Sequence, residues 1–117
     1  MHDKTQINKL IDLTEALFNK STLLADDINS DDPAIIGLLA VRLSQIYSIR
    51  MAIDAISTSA NIYTRDFDRL FKSFDALYNA MYYGLLFSSE IECDVSAELA
   101  TLQTGYNQLN KKLAEGR

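Results

Sequence analysis

Residues 65–88 read RDFDRLFKSFDALYNAMYYGLLFS. Within them Phe67, Leu70, Phe71, Phe74, Leu77, Tyr78, Met81 and Leu85 recur at spacings of three and four. That is the period of an α-helix, in which residues so spaced share one face; a half-buried strand would alternate. The stretch has no proline, and its one glycine, Gly84, sits near its end, so nothing stops the helix early. Its face is the most regular in the chain and rich in aromatics, and it demands other helices to cover it.

The same period extends to both sides. Upstream, Asp32 precedes Pro33. An aspartate there accepts hydrogen bonds from the free N–H groups of a first helical turn, and proline suits the first position because it has no N–H to leave unpaired. The stripe Ile35, Leu39, Leu43, Ile46, Ile49, Ile53, Ile56 and Ala60 then predicts a helix over 33–60, about 40 Å long at 1.5 Å per residue. Ile7, Leu10, Ile11, Thr14, Leu17, Phe18, Ser21, Leu24, Ala25 and Ile28 predict another over 5–28. Thr64 is placed to cap the helix over 65–88.

Downstream, Ser89-x-x-Glu92 has the form of a capping box, with Asp94 as a competing cap. Ile91, Val95, Leu99, Leu102, Tyr106, Leu109 and Leu113 predict a fourth helix over 90–114. Its acidic residues Glu90, Glu92 and Asp94 lie near the positive end of the helix dipole, and Lys111 and Lys112 near the negative end. Short connections make consecutive helices antiparallel neighbours. The expected fold is therefore all-α, a single domain over 1–117 arranged as an up-down-up-down four-helix bundle.

Composition agrees and narrows the functional classes. A chain of 117 residues with 48% hydrophobic content can bury one core. A net charge of −5 opposes non-specific attraction to nucleic acid or an anionic membrane. The longest purely apolar run, Ala34 to Val41, is eight residues, against about twenty for a membrane-spanning helix, so no membrane partner is expected. The first nine residues are polar and do not resemble a secretory leader. One cysteine, Cys93, excludes an intrachain disulfide and fits a reducing compartment, which points to the cytoplasm.

Chemistry-bearing patterns are incomplete. Asp27-x-Asn29-x-Asp31 matches the first three ligands of a calcium loop, but Asp32 and Leu38 stand where that loop needs glycine and a bidentate glutamate. The one histidine, His2, is terminal, which disfavours histidine catalysis, phosphotransfer and bundle di-metal sites. Cys93 lies between Glu92 and Asp94, neighbours that raise a thiol pKa and do not activate it. No catalytic residue, cofactor site or metal site is assigned.

Arg65, Arg69 and Lys72 share one side of the third helix, but Asp66, Asp68 and Asp75 stand three or four residues from them. Intrahelical pairing would cancel the basic field, so a solvated, self-paired surface is expected, with a nucleic-acid-associated regulator as a further alternative. Arg42 and Arg50 each lie about 40° from Ile46 on the second helix at about 100° per residue, within its apolar face. They are expected to reach water and pair with a carboxylate, Glu98 of the fourth helix being one candidate. The alternative is a pocket holding an anionic ligand or substrate.

The third helix carries a second apolar stripe opposite the first: Ala76, Ala80, Tyr83 and Phe87, widened by Tyr82 and Leu86. The second helix has a small-residue back face, Ser44, Ser48, Ala52, Ala55 and Ser59, flanked by Val41 and Met51. One core cannot bury all of these. The expectation is a non-enzymatic protein-protein interaction module, such as an adaptor, secretion-type chaperone, inhibitor or immunity protein. It would use the apolar third-helix patch to bind a protein partner or form a homodimer.

Overall fold

A computed structural model of the chain describes residues 3–87 and 93–116. They form α1 (Lys4–Asp27), α2 (Pro33–Ser59), α3 (Thr64–Phe87) and α4 (Ser96–Gly116), with no strand among the described residues. The all-α four-helix bundle expected from the apolar spacing is what the chain adopts.

The starts of these helices follow their capping residues. Asp3 accepts a hydrogen bond from the Thr5 N–H at 2.8 Å, and Asp32 accepts one from the Ala34 N–H at 3.0 Å with Pro33 beginning the helix. Thr64, expected as a cap, is instead the first residue of α3. Tyr63 precedes it with φ of 44° and offers its carbonyl to the Phe67 N–H. Asn61, with φ of 53°, makes the other left-handed step in this reversal, and Ile62 between them is buried.

α4 begins six residues later than its apolar spacing predicts, at Ser96 and not at residue 90. Asp94 sets that start: its Oδ1 accepts from the Ser96 N–H at 3.0 Å and from the Ser96 hydroxyl at 2.7 Å. Those hydrogen bonds, the hydroxyl's first, hold the Asp94 carboxyl below the ordinary range. Val95 is buried just before the helix. The expected capping box of Ser89 and Glu92, and the stripe position Ile91, lie outside the described residues.

α1 packs on α2 and α4, and α3 packs on the same two helices, so the four close a ring of antiparallel neighbours. The bundle measures 51 × 23 × 18 Å. Its axis is filled by the predicted stripes: Leu10, Leu17 and Leu24 of α1, Leu39, Ile46 and Ile53 of α2, Phe67, Phe74 and Leu77 of α3, and Leu102, Leu109 and Leu113 of α4 are all buried. Phe18 and Tyr106 stack with centroids 4.7 Å apart across the α1–α4 seam. Among the described residues three hydroxyls share this core. Thr14 donates to the Leu10 carbonyl and Ser57 to the Asp54 carbonyl, whereas the Ser21 hydroxyl has no partner.

Candidate interaction surface on α2 and α3

α2 differs from the other helices in having apolar residues on every side. Its inner row is buried, yet Ile36, Leu38, Val41, Tyr47 and Met51 are exposed, and so is the back face of Ser44, Ser48, Ala52, Ala55 and Ser59. The charged residues of α2, Arg42, Arg50 and Asp54, all turn toward neighbouring helices or one another. The outward face therefore carries no charge over the length of the helix. By length and composition alone α2 could cross a membrane, with only 17% of its most apolar window buried. The unbroken run of eight apolar residues understates this, because Arg42 ends the run at Val41 and a further apolar stretch follows it, interrupted by Ser44, Gln45 and Ser48.

A row of tyrosines joins this face to α3. Tyr47 lies 5.0 Å from Tyr78, Tyr78 stacks 6.1 Å from Tyr82, and Tyr82 meets Tyr83 edge-on at 6.1 Å. Tyr82 is 44% exposed, Tyr83 61% and Leu86 57%, and Ala76 is exposed as expected. Ala80 departs from the expected outer stripe. It is half-buried against the core, because Cys93 folds back over it and directs its thiol at the Ala80 carbonyl, 3.6 Å away. The side chain of Phe87, the last member of that stripe, lies outside the described residues. Among the described residues, five of the nine exposed large apolar side chains are on α2, three are at the end of α3, one is Leu23 of α1, and none is on α4. Eight of these nine side chains thus lie on α2 and the end of α3.

Arg42 and Arg50 border the core and pair with carboxylates of the sequence-adjacent helices. Arg42 Nη1 is 2.8 Å from Asp27 Oδ2. Arg50 holds both Asp75 oxygens at 3.1 Å, reaches Asp54 at 3.4 Å, and lies 4.4 Å over the Phe71 ring. Its pKa is raised, chiefly by the hydrogen bond to Asp75. Glu98 is not the partner that antiparallel packing offered: α4 sits diagonally across the ring from α2, and Glu98 acts instead on Cys93.

Asp66 and Asp75 were likewise expected to pair along their own helix with Arg65, Arg69 and Lys72. They bridge helices instead, Asp66 to Lys112 at 2.8 Å and Asp75 to Arg50. Arg69 borders a groove of about 340 Å³ between α3 and α4, lined also by Leu70, Ser73, Thr101, Thr104, Gln108 and Leu109. The hydroxyls of Ser73, Thr101 and Thr104 donate to carbonyls one turn earlier in their own helices.

The residues resembling a calcium loop serve structural ends. Asp27 holds Arg42, while the Asn29 side chain clasps the backbone of Cys93, donating to its carbonyl and accepting from its N–H at 2.7 Å each. The Cys93 thiol is pushed up by burial first and then by Glu98 and Asp94. Gly84 makes its approach possible, since a Cβ there would stand 2.6 Å from the thiol sulfur.

No family model matches the chain, and neither a curated protein nor a solved structure matches it.

Proposed function

We propose that this protein is a non-enzymatic, cytoplasmic protein-binding module of the adaptor, chaperone or inhibitor kind, whose working surface is the apolar corner formed by α2 and the C-terminal half of α3. The observation that carries this reading is the concentration of exposed apolar bulk on those two helices, eight of the nine large exposed side chains among the described residues, joined by the row from Tyr47 to Tyr83. Scattered exposed apolar residues are ordinary, but a continuous patch beyond a few hundred Å² marks a contact surface on most soluble proteins. Tyrosine is well suited to such surfaces because it buries a large ring at the cost of few rotatable bonds. The engagement of Arg42 and Arg50 with aspartates supports a structural role for both and leaves the anion-holding alternative without a free guanidinium to recommend it.

A photo-reactive residue at Tyr83, compared with one at the exposed α4 position Gln103, tests this in the producing cell. The expected result is a defined cross-linked chain from Tyr83, lost when Tyr82 and Leu86 are changed to Ser, with none from Gln103. Equal labelling from both positions would overturn the reading.

A further inference from the structure

We propose that Asn29 is a site of spontaneous deamidation that the fold holds shut. Its clasp on Cys93 and the turn that follows α1 withhold both reacting groups, and opening that turn releases them together. The site lies in the α1–α2 connection and is independent of the interaction surface on α2 and α3.

In deamidation the backbone nitrogen of the following residue gives up its proton and attacks the side-chain Cγ of asparagine. The Cγ–Nδ2 bond breaks, the amide nitrogen takes up a proton and leaves as ammonia, and a succinimide ring closes. Water then opens the ring to an aspartyl or isoaspartyl residue. Backbone freedom and a small following side chain favour the attack. The chain has seven asparagines, of which Asn8, Asn19, Asn79, Asn107 and Asn110 lie inside helices, whose fixed dihedral angles hold the next nitrogen away from Cγ. Asn29 and Asn61 lie outside them. Asn61 is followed by Ile62, buried and β-branched, whose bulk crowds its own backbone nitrogen. Asn29 is followed by the small Ser30, and it is exposed to the water that ring opening consumes.

Both partners in that attack are tied. The Asn29 amide donates through Nδ2 to the Cys93 carbonyl and accepts at Oδ1 from the Cys93 N–H, each at 2.7 Å. The attacking nitrogen, that of Ser30, donates its N–H to the Asp27 carbonyl at 3.0 Å. Attack requires that proton to be lost and the amide to swing toward the backbone, so both sets of hydrogen bonds must open first. A local opening is populated according to its free energy, and a reaction that waits for it slows in proportion. The state of position 29 therefore records how often the connection has opened.

The product does not restore the clasp. A carboxylate at position 29 keeps an acceptor for the Cys93 N–H, but where Nδ2 met the Cys93 carbonyl it sets one oxygen acceptor against another. Asp26 and Asp94 border the same recess as Asn29 and Cys93, and Asp31 and Asp32 follow in the loop, so the new charge also arrives among like charges. In the intact clasp the Cys93 thiol lies 3.6 Å from the Ala80 carbonyl, packed over Gly84. Losing the clasp frees the backbone that holds it there, and the thiol becomes the group that reports the change.

The full chain, incubated in neutral buffer with and without guanidinium chloride, is digested with pepsin in acid and its asparagine-bearing peptides are weighed. In denaturant Asn29 is expected to exchange amide for acid ahead of the other asparagines. The folded chain is expected to lag at this position by roughly tenfold or more, because the fraction of time the turn stands open sets the rate. Ser30→Ile is expected to suppress the exchange in denaturant, where no fold remains to influence it. Equal rates at Asn29 in the two conditions would overturn the gate, and faster exchange at another asparagine in denaturant would overturn the site. Asn29→Asp, made directly, is expected to keep the helicity of the wild type and to raise the rate at which a maleimide labels Cys93 several-fold. Labelling at the wild-type rate would show that the clasp tolerates the carboxylate and would overturn the one-way step. None of these outcomes alters what cross-linking from Tyr83 reports.

Discussion

Arg50 and Asp75 are joined by two parallel hydrogen bonds, Nε to Oδ1 and Nη2 to Oδ2, both 3.1 Å long. The fork ties α2 to α3 at a point where the arginine side chain is only 15% exposed and its guanidinium covers Phe71. Arg50→Ala is expected to cost about 2 kcal/mol, at the lower part of the range for charged hydrogen bonds because Asp75 remains 43% exposed. Arg50→Lys should recover less than half, since an ammonium cannot reproduce the planar fork or its stacking. Urea denaturation of the two variants measures both; full recovery by lysine would show that charge alone matters here.

Phe74 is fully buried at the centre of the α3 stripe, 6.0 Å from the Tyr78 ring centre. Phe74→Ala is expected to cost on the order of 3–5 kcal/mol through lost transfer energy and the cavity left behind. A loss below about 1 kcal/mol on denaturation would be incompatible with a core position.

Ser21 offers the opposite case, a hydroxyl in the core with no hydrogen-bond partner. Ser21→Ala removes a desolvated polar group at little change of volume and is expected to stabilise the bundle by about 1 kcal/mol. A midpoint shifted to lower urea would mean that the hydroxyl is satisfied in solution.

Cys93, Tyr78 and Tyr106 have raised pKa values, in each case with burial as the first cause. Folded chains keep these protons to higher pH than unfolded chains, so between the ordinary and raised values the unfolded state binds fewer protons. Stability then falls with rising pH. The loss should begin near the ordinary thiol value, deepen through the phenol range, and be absent at neutral pH. Cys93→Ala and Tyr106→Phe should each flatten the alkaline limb of a plot of unfolding free energy against pH. An unchanged limb in both would exclude these groups as its source.

The fold was legible because Ile7 to Leu24, Leu39 to Ile53, Phe67 to Met81 and Leu102 to Leu113 all repeat at helical spacing, and burial obeyed that spacing. The start of α4 was misread because Ile91 and Val95 continue the apolar period, and spacing cannot tell a helix from an extended segment that packs on the same core. Asp94, already visible as an alternative cap, was the better guide. The arginines were correctly placed at the core edge, but their partners required knowing which helices are diagonal. Glu98 satisfied the chemistry and failed the topology. The outer α2 surface was half legible. Val41, Met51 and the small residues stood out, while Ile36, Leu38 and Tyr47 lie at the flanks, where side-chain direction and neighbouring helices decide exposure.

The clasp between Asn29 and Cys93 has a kinetic consequence. It joins positions 64 residues apart, whereas most contacts in a helical bundle form between near neighbours and drive fast folding. Closing so long a loop is entropically costly before the helices have docked, so the clasp should be absent from the transition state and snap shut on the native side of the barrier. Asn29→Ala is then expected to accelerate unfolding several-fold and leave the refolding rate unchanged, a φ-value near zero. On that account the bundle assembles without its clasp and is held closed by it, so the side chain of Asn29 governs the lifetime of the folded state and has no part in the speed of its formation.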